Sequence, residues 1–187
     1  SPGLTFVVVS DDAKEKMKNR KTPIASFYAN LMAFDGYYEK KWFPYTMPIS
    51  DIYGLRAAFN LIAGDKTLYE RHARIGSATR AAVKEAGLKL HLQSGYSNTV
   101  TVFDIPECTD AKSILDEMRT KYNIMLAGSF DELSGKVIRI GHMGENARLE
   151  HMVPALEALS ATLTDLGVTL QGNLADLFLK HYREFQD

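Results

Sequence analysis

The sequence predicts an α+β fold over residues 88–187, preceded by two helices and by a segment that belongs against another body. Three observations carry this. After Gly87, short apolar runs and amphipathic runs follow one another in the order β-β-α-β-β-α-α, which sets helices on one face of a small sheet. Leu4–Val9 is apolar and β-branched on both faces, as in a strand covered from both sides, yet no run of that kind follows before Leu88. Phe27, Tyr28, Phe34, Tyr37, Tyr38, Trp42, Phe43 and Tyr45 crowd a stretch of poor periodicity, and rings so placed usually pack against a domain or a subunit.

The elements follow in order. Ser10-Asp11-Asp12 offers caps for a polar helix over Ala13–Asn19. A helix from Ser50 to Ala63 is broken by Gly64-Asp65, and a second runs from Thr67 to Ala86 and stops at Gly87. In that second helix Leu68, His72, Ile75, Thr79, Ala82 and Ala86 recur at steps of three and four, forming a seam. Leu88–Leu92 and Thr99–Ile105 read as strands around a Gln93-Ser94-Gly95 turn. Pro106 ends the second strand, and Thr109 or Asp110 caps a helix bearing Ile114, Leu115, Met118 and Tyr122. Ile124–Leu126 and Lys136–Ile140 are two more short strands. Asn146 is placed to cap a helix with Leu149, Val153, Leu156, Leu159 and Leu163 on one face, ending at Gly167. A last amphipathic helix carries Leu174, Leu177, Phe178, His181 and Phe185.

Composition excludes several classes of function. Twenty-two basic residues against 23 acidic ones leave a net charge of −1, which argues against a general affinity for nucleic acid or an anionic membrane. No apolar run approaches the ~20 residues that span a bilayer. Cys108 stands alone, so no internal disulfide forms, and a reducing, cytoplasmic compartment is the natural expectation. The five histidines are scattered and show no metal-ligand spacing, so no metal site is expected. The dinucleotide, P-loop and nucleophile-elbow glycine patterns are absent. A chain that opens directly into a core strand reads as part of something longer.

The most informative stretch is Lys136-Val137-Ile138-Arg139-Ile140-Gly141-His142-Met143-Gly144. In a strand, Arg139 lies on the face opposite Ile138 and Ile140. A guanidinium there, just before a glycine-containing turn, can receive a carboxylate in a two-pronged fork. Taken alone it reads more readily as a solvent-facing edge arginine, since charged residues sit mostly at the surface. His142 reads most simply as a loop histidine or local hydrogen-bond donor, and Gly141 and Gly144 as servants of the turn.

Five segments, in order and suitably spaced, resemble the class V (fold type I) pyridoxal-phosphate-dependent aminotransferases, of the alanine–glyoxylate and serine–pyruvate type. They are Ser1–Ser10, Tyr45–Arg56, Arg71–Arg74, Thr99–Val102 and Gly135–Gly144, and the resemblance covers residues 1 to about 165. It implies an α/β parent with a large parallel-sheet domain and a small C-terminal α+β domain. Residues 1–45 would be the end of the large domain with its connecting segment, 46–87 the interdomain helices, and 88–187 the small domain. It implies an enzyme that moves an amino group between an alanine- or serine-type amino acid and a glyoxylate- or pyruvate-type 2-oxo acid. Its cofactor is pyridoxal 5'-phosphate, and its partners are an N-terminal large domain and a second subunit.

The family's cofactor lysine lies just before the Pro2-Gly3-Leu4 segment, a position outside this sequence. Lys14, Lys16 and Lys18 sit on a solvated helix and do not replace it, so no catalytic residue is expected in this chain, which alone should be inactive. The resemblance aligns Arg139 with the arginine that pairs with the substrate carboxylate. It aligns Thr46 with a residue that reaches the cofactor phosphate of the other subunit; from the residues alone, Thr46 reads as a helix-entry threonine. Phe43 stands where relatives often carry a polar side chain facing that phosphate. Gly128 falls in a glycine-rich loop, continued here by Ser129-Phe130-Asp131. Two rival readings stay open: a cysteine desulfurase or lyase relative using Cys108, which lies far from the Arg139 motif in sequence, and a non-catalytic α+β interaction module. The exposed strand and aromatic segment speak against the module.

Overall fold

The computed structural model describes residues 3–185, so Ser1 and Pro2 of the first resembling segment lie outside it. The chain divides into two compact units, Ser1–Asp65 and Lys66–Asp187.

In the first unit, helix α1 (Asp11–Lys18) starts where Ser10 Oγ accepts the Ala13 amide at 3.2 Å. Asp11 and Asp12 lie in its first turn and Lys16 and Lys18 in its last, the order that suits the helix dipole. The aromatic segment is irregular, as its periodicity predicts, apart from a single 3-10 turn at Leu31–Phe34. Its rings pack on one another instead of into a core: Tyr45 meets Phe27, Phe34 and Phe43 in edge-on contacts, and its hydroxyl donates to the Phe27 carbonyl at 2.7 Å. Helix α2 (Ile49–Gly64) buries none of its residues. Leu4–Val9, expected as a strand, pairs with no strand among the described residues; Phe6 is 68% and Val8 98% exposed. The physical reason is elementary: a β-strand exists only as one side of a ladder, and this unit offers no second side.

The second unit holds the core. Helix α3 (Leu68–Glu85) ends at Gly87, whose φ of +85° is the left-handed conformation that terminates a helix. Strand β1 (Val100–Asp104) pairs antiparallel with β2 (Val137–Gly141), with Val102 opposite Arg139 and Phe103 opposite Ile138. Of the two remaining expected strands, Leu88–Leu92 shrinks to a single bridge, Leu90 to Phe103, while Ile124–Leu126 forms none. A bridge from Ala127 to Arg139 falls one residue beyond it, and both bridges lie on the outer edges of this pair. Each is held by two backbone hydrogen bonds, too few to propagate a ladder. Helix α4 (Ala111–Tyr122) is capped by Asp110, which accepts from the Ser113 amide and hydroxyl. Helix α5 (Leu149–Asp165) takes Arg148 as its cap residue; the expected Asn146 instead closes the 3-10 turn Gly144–Asn146. Helix α6 (Leu174–Glu184) is capped by Asn173, whose side chain accepts from Ala175 and Asp176.

Packing follows the patterns in the sequence. Helix α3 packs on α6, α5 on α6 and α4, and β1 on α3. The buried face of the strands supplies Phe103, Ile138 and Ile140, which meet Ile75, Ile114, Met118, Leu156, Leu163 and Phe178 in one cluster. Across the α3–α6 contact, Glu85 accepts from Lys180 at 2.7 Å and His181 at 2.6 Å. Those two partners, Lys180 first, hold its carboxyl below the ordinary value. No helix among the described residues is long and apolar enough to cross a membrane.

Phe178 is wholly buried where α6 meets the core. Its replacement by Ala is expected to cost about 3–5 kcal/mol of stability, the transfer loss plus the cavity left behind. Denaturant titration of Phe178→Ala beside the parent chain checks this; an unchanged midpoint would mean α6 is not part of the cooperative core.

Candidate functional site

Alternation along β2 decides which way each side chain points. Ile138 and Ile140 enter the core, His142 continues their parity, and Arg139 is turned to the opposite face, half-buried beside Val102. The sequence-based placement of Arg139 holds. Its Nε donates to the Gly128 carbonyl at 2.5 Å, and its guanidinium carbon lies 5.7 Å from the centre of the Phe130 ring. Arg139 has no carboxylate partner among the described residues. With Nε occupied, the edge formed by the two terminal nitrogens is the one left to accept a planar, two-oxygen anion. A Cβ at Gly128 would meet only Leu115 Cδ1 at an ordinary 3.6 Å. What Gly128 gives Arg139 is therefore its carbonyl, which any residue would supply.

The turn after β2 is fixed by two histidines. His142 is fully buried; its Nδ1 lies 3.1 Å from the Asn98 carbonyl and its Nε2 2.9 Å from Thr101 Oγ1. A carbonyl only accepts, so the proton sits on Nδ1 and Nε2 accepts from the threonine hydroxyl. Burial pushes this imidazole down to about 4, so it is neutral at physiological pH. The sequence expectation of a local hydrogen-bond donor is met, with the addition that the donor lies in the core. His72 repeats the logic from α3. Its Nδ1 donates to Leu68 at 2.6 Å, and its Nε2 receives the Gly144 amide at 3.1 Å. Gly144 has a φ of +59°, the turn role foreseen for it.

The segment before β1 is latched to α3 from the other side. Arg80 donates to the Ser97 carbonyl and Asn98 side chain and lies over the Tyr96 ring at 4.9 Å. At Gly76 the helix comes so close that a Cβ would stand 3.2 Å from the Asn98 backbone. Sequence reasoning did not single out Gly76, and it noted Phe130 only within the continuation after Gly128, without a contact to Arg139. The available signals were an aromatic three residues beyond the Ala127 bridge, and a glycine placed inside an otherwise unbroken helical pattern.

Thr46 belongs to the first unit. It is exposed, makes no hydrogen bond among the described residues, and lines a cavity of about 600 Å³ with Phe43, Tyr45, Val7 and Val9. Phe43 lines the same cavity with its ring half-buried. Cys108 is exposed in the connection before α4.

A small α+β unit with helices on one face of a short antiparallel pair, and an anchored arginine on the other face, has the architecture of the C-terminal part of a class V aminotransferase. No family model matches the chain. It is 34% identical over 189 residues to a serine–glyoxylate aminotransferase of Arabidopsis thaliana, covering 96% of this chain and 46% of that protein. It is 35% identical over 170 residues to an uncharacterized aminotransferase of Methanocaldococcus jannaschii, covering 89% of this chain and 44% of the relative. Its fold matches the pyridoxamine–pyruvate aminotransferase of Mesorhizobium loti with a TM-score of 0.84 at 30% identity, over 94% of this chain and 46% of that one. Its homologues are aminotransferases, and it spans about half the length of the relatives it matches.

Neutral His142 has a stability consequence. Between pH 6.5 and about 4 the unfolded imidazole takes up a proton that the folded one refuses. The unfolded state then binds more protons, so stability falls as pH drops through that window. The full effect is up to about 3 kcal/mol at ~1.36 kcal/mol per pH unit. Urea titrations at pH 7, 5.5 and 4.5 are expected to show a flatter pH profile for His142→Asn than for the parent. Superimposable profiles would show that the folded imidazole charges freely.

Proposed function

We propose that this chain is the substrate-carboxylate part of an aminotransferase acting between an alanine- or serine-type amino acid and a glyoxylate- or pyruvate-type 2-oxo acid. The observation that carries the reading is Arg139: anchored through Nε, without an acidic partner among the described residues, and facing away from the core. Both substrates of such a reaction carry a carboxylate beside the reacting carbon. A fork on the terminal nitrogens fixes that carboxylate, and with it the direction of the bond to be broken.

Pyridoxal 5'-phosphate is the cofactor this reading requires, and the chemistry it supplies when bound is an electron sink at the substrate's α-carbon. Thr46 fits as one hydroxyl donor to the phosphate, since it is exposed and uncommitted. No lysine or arginine is among the cavity's lining residues, so the charge that neutralises the phosphate comes from elsewhere in the enzyme. In this reading Thr46 serves the cofactor of a second subunit in a homodimer, and an N-terminal large domain covers the exposed Phe6–Val9 run and α2. Residues 1–45, 46–87 and 88–187 are then the end of that domain, the linking helices and the small domain.

Four of the chain's lysines are held in ion pairs that do not suit a cofactor lysine. Lys14 donates to Asp35 at 2.5 Å, and this bond holds its pKa above the ordinary value. Lys112, Lys121 and Lys180 are shifted upward too, each chiefly by a hydrogen bond to a carboxylate. A nucleophilic lysine needs the opposite shift. The desulfurase reading is not favoured: the homologues are amino acid–glyoxylate and –pyruvate aminotransferases. The single cysteine fits the reducing conditions of the cytoplasm.

The 187-residue chain alone, supplied with pyridoxal phosphate, alanine and glyoxylate, is expected to form no pyruvate; turnover without another polypeptide would overturn the assignment. In the complete enzyme, Arg139→Gln is expected to lower kcat/KM for both substrates by roughly 10- to 100-fold, the worth of a lost charge-assisted pair. Steady-state kinetics check it, and an unchanged value would remove Arg139 from the substrate site.

A further inference from the structure

The guanidinium of Arg139 is not bare. One donor is spent on the Gly128 carbonyl at 2.5 Å, and the Phe130 ring lies 5.7 Å from its carbon, within the range of a cation–π contact. The loop is shaped to put the ring there. Phe130 is extended, with φ −117° and ψ 171°, and Asp131 directly after it is left-handed at φ +49°. That conformation is uncommon away from glycine and turns the chain sharply back. The turn is closed by Leu133 donating to Phe130 at 3.1 Å and Ser134 donating to Asp131 at 3.0 Å. The ring is nevertheless 75% exposed, although it is large and apolar. An aromatic face held beside a cation and left uncovered is a contact surface for what the cation binds.

We infer that Phe130 is a specificity-determining residue of the carboxylate subsite, selecting substrates whose α-carbon bears an uncharged, apolar substituent over those with a second carboxylate. This rests on the reading of Arg139 as the carboxylate anchor. A carboxylate forked on the terminal nitrogens at ~2.8 Å brings the atoms beyond it into the neighbourhood of the ring. A methyl or ethyl group there covers exposed aromatic surface and gains about fourfold in affinity per methylene buried. A second carboxylate gains nothing from the ring, which offers it no donor and takes away its water. The ring also shields one side of the guanidinium from solvent, which strengthens its pairing with the first carboxylate.

The test compares Phe130→Ala, Phe130→Leu and Arg139→Gln in the complete, cofactor-loaded enzyme, with 2-oxobutyrate and oxaloacetate as amino acceptors. Phe130→Ala is expected to lower the ratio of kcat/KM values, 2-oxobutyrate over oxaloacetate, by roughly tenfold, and Phe130→Leu to restore most of it. An unchanged ratio in Phe130→Ala, or an equal loss for both acceptors, overturns the inference while leaving Arg139 as the anchor. Activity unchanged in Arg139→Gln overturns the underlying reading instead. A readout independent of turnover uses the 187-residue chain itself, titrated with butyrate and with succinate while the Arg139 Nε–H resonance is followed by NMR. The preference for butyrate is expected in the parent and absent in Phe130→Ala; equal preferences in the two overturn the inference. Because the ring is mostly exposed, its removal leaves the core intact.

Discussion

The register between β1 and β2 is the constraint on which the second unit depends. Val102 faces Arg139, Phe103 faces Ile138 and Thr101 faces Ile140. A side-chain period of two means that a slip of one residue would send Arg139 into the core and expose Ile138 and Ile140. Burying an unpaired guanidinium is far costlier than burying an isoleucine, so the hydrophobic pattern and the charge select the same register. The ladder is short, and it is secured at both ends by side chains. Lys89 and His91 converge on Asp104 at 2.7 Å each at one end, holding that carboxyl below its ordinary value, with the Lys89 bond the larger cause. At the other end His142 ties the turn to Thr101 and Asn98.

The two units show what a sequence pattern can and cannot deliver. In the second unit the seam Ile75, Thr79, Ala82 and Ala86 is buried as its spacing predicts, because the residues it meets belong to the same chain. In the first unit α2 has an equally apolar sequence and buries nothing. Phe59, Leu61 and Ile62 remain exposed, as do Phe6 and Val7. A monomer rarely leaves so much contiguous apolar surface open unless something is meant to lie on it. The aromatic segment makes the best of this by packing ring on ring, in edge-on geometry that gains quadrupolar attraction beyond area burial.

Helices were legible to within one or two residues, since caps and breakers act locally: Ser10, Asp110, Gly87 and Gly167 mark their ends by chemistry that needs no partner. Strands were less legible for the opposite reason. Leu4–Val9, Leu88–Leu92 and Ile124–Leu126 have strand composition, but a ladder is decided by what lies alongside. The sequence also revealed the face on which Arg139 lies, by parity alone. It did not reveal the carbonyl and ring that orient it, because Gly128 and Phe130 reach it through a loop whose path depends on the left-handed turn at Asp131. Composition carried no sign that His142 is neutral; that follows from burial against two specific partners.

Three arginines in the second unit share one arrangement, a nitrogen on a backbone carbonyl and the guanidinium near an aromatic ring. Arg74 uses Tyr182 for both, at 2.8 Å to its carbonyl and 4.1 Å to its ring. Arg80 uses Ser97 and Tyr96. Arg139 uses Gly128 and Phe130. The first two join parts of the fold that need joining: Arg74 ties α3 to α6 across 108 positions of sequence, and Arg80 ties α3 to the segment before β1. Arg139 joins β2 to a segment already fastened to it. Ala127 and Arg139 exchange both backbone hydrogen bonds, at 2.7 and 3.3 Å, directly beside Gly128. As a tether the Arg139 side chain is redundant, so holding the loop does not account for a half-buried charge at the middle of a strand. The direction of support runs the other way: the loop holds the guanidinium, and a rigidly aimed cation without an acidic partner among the described residues is what the proposed carboxylate anchor requires.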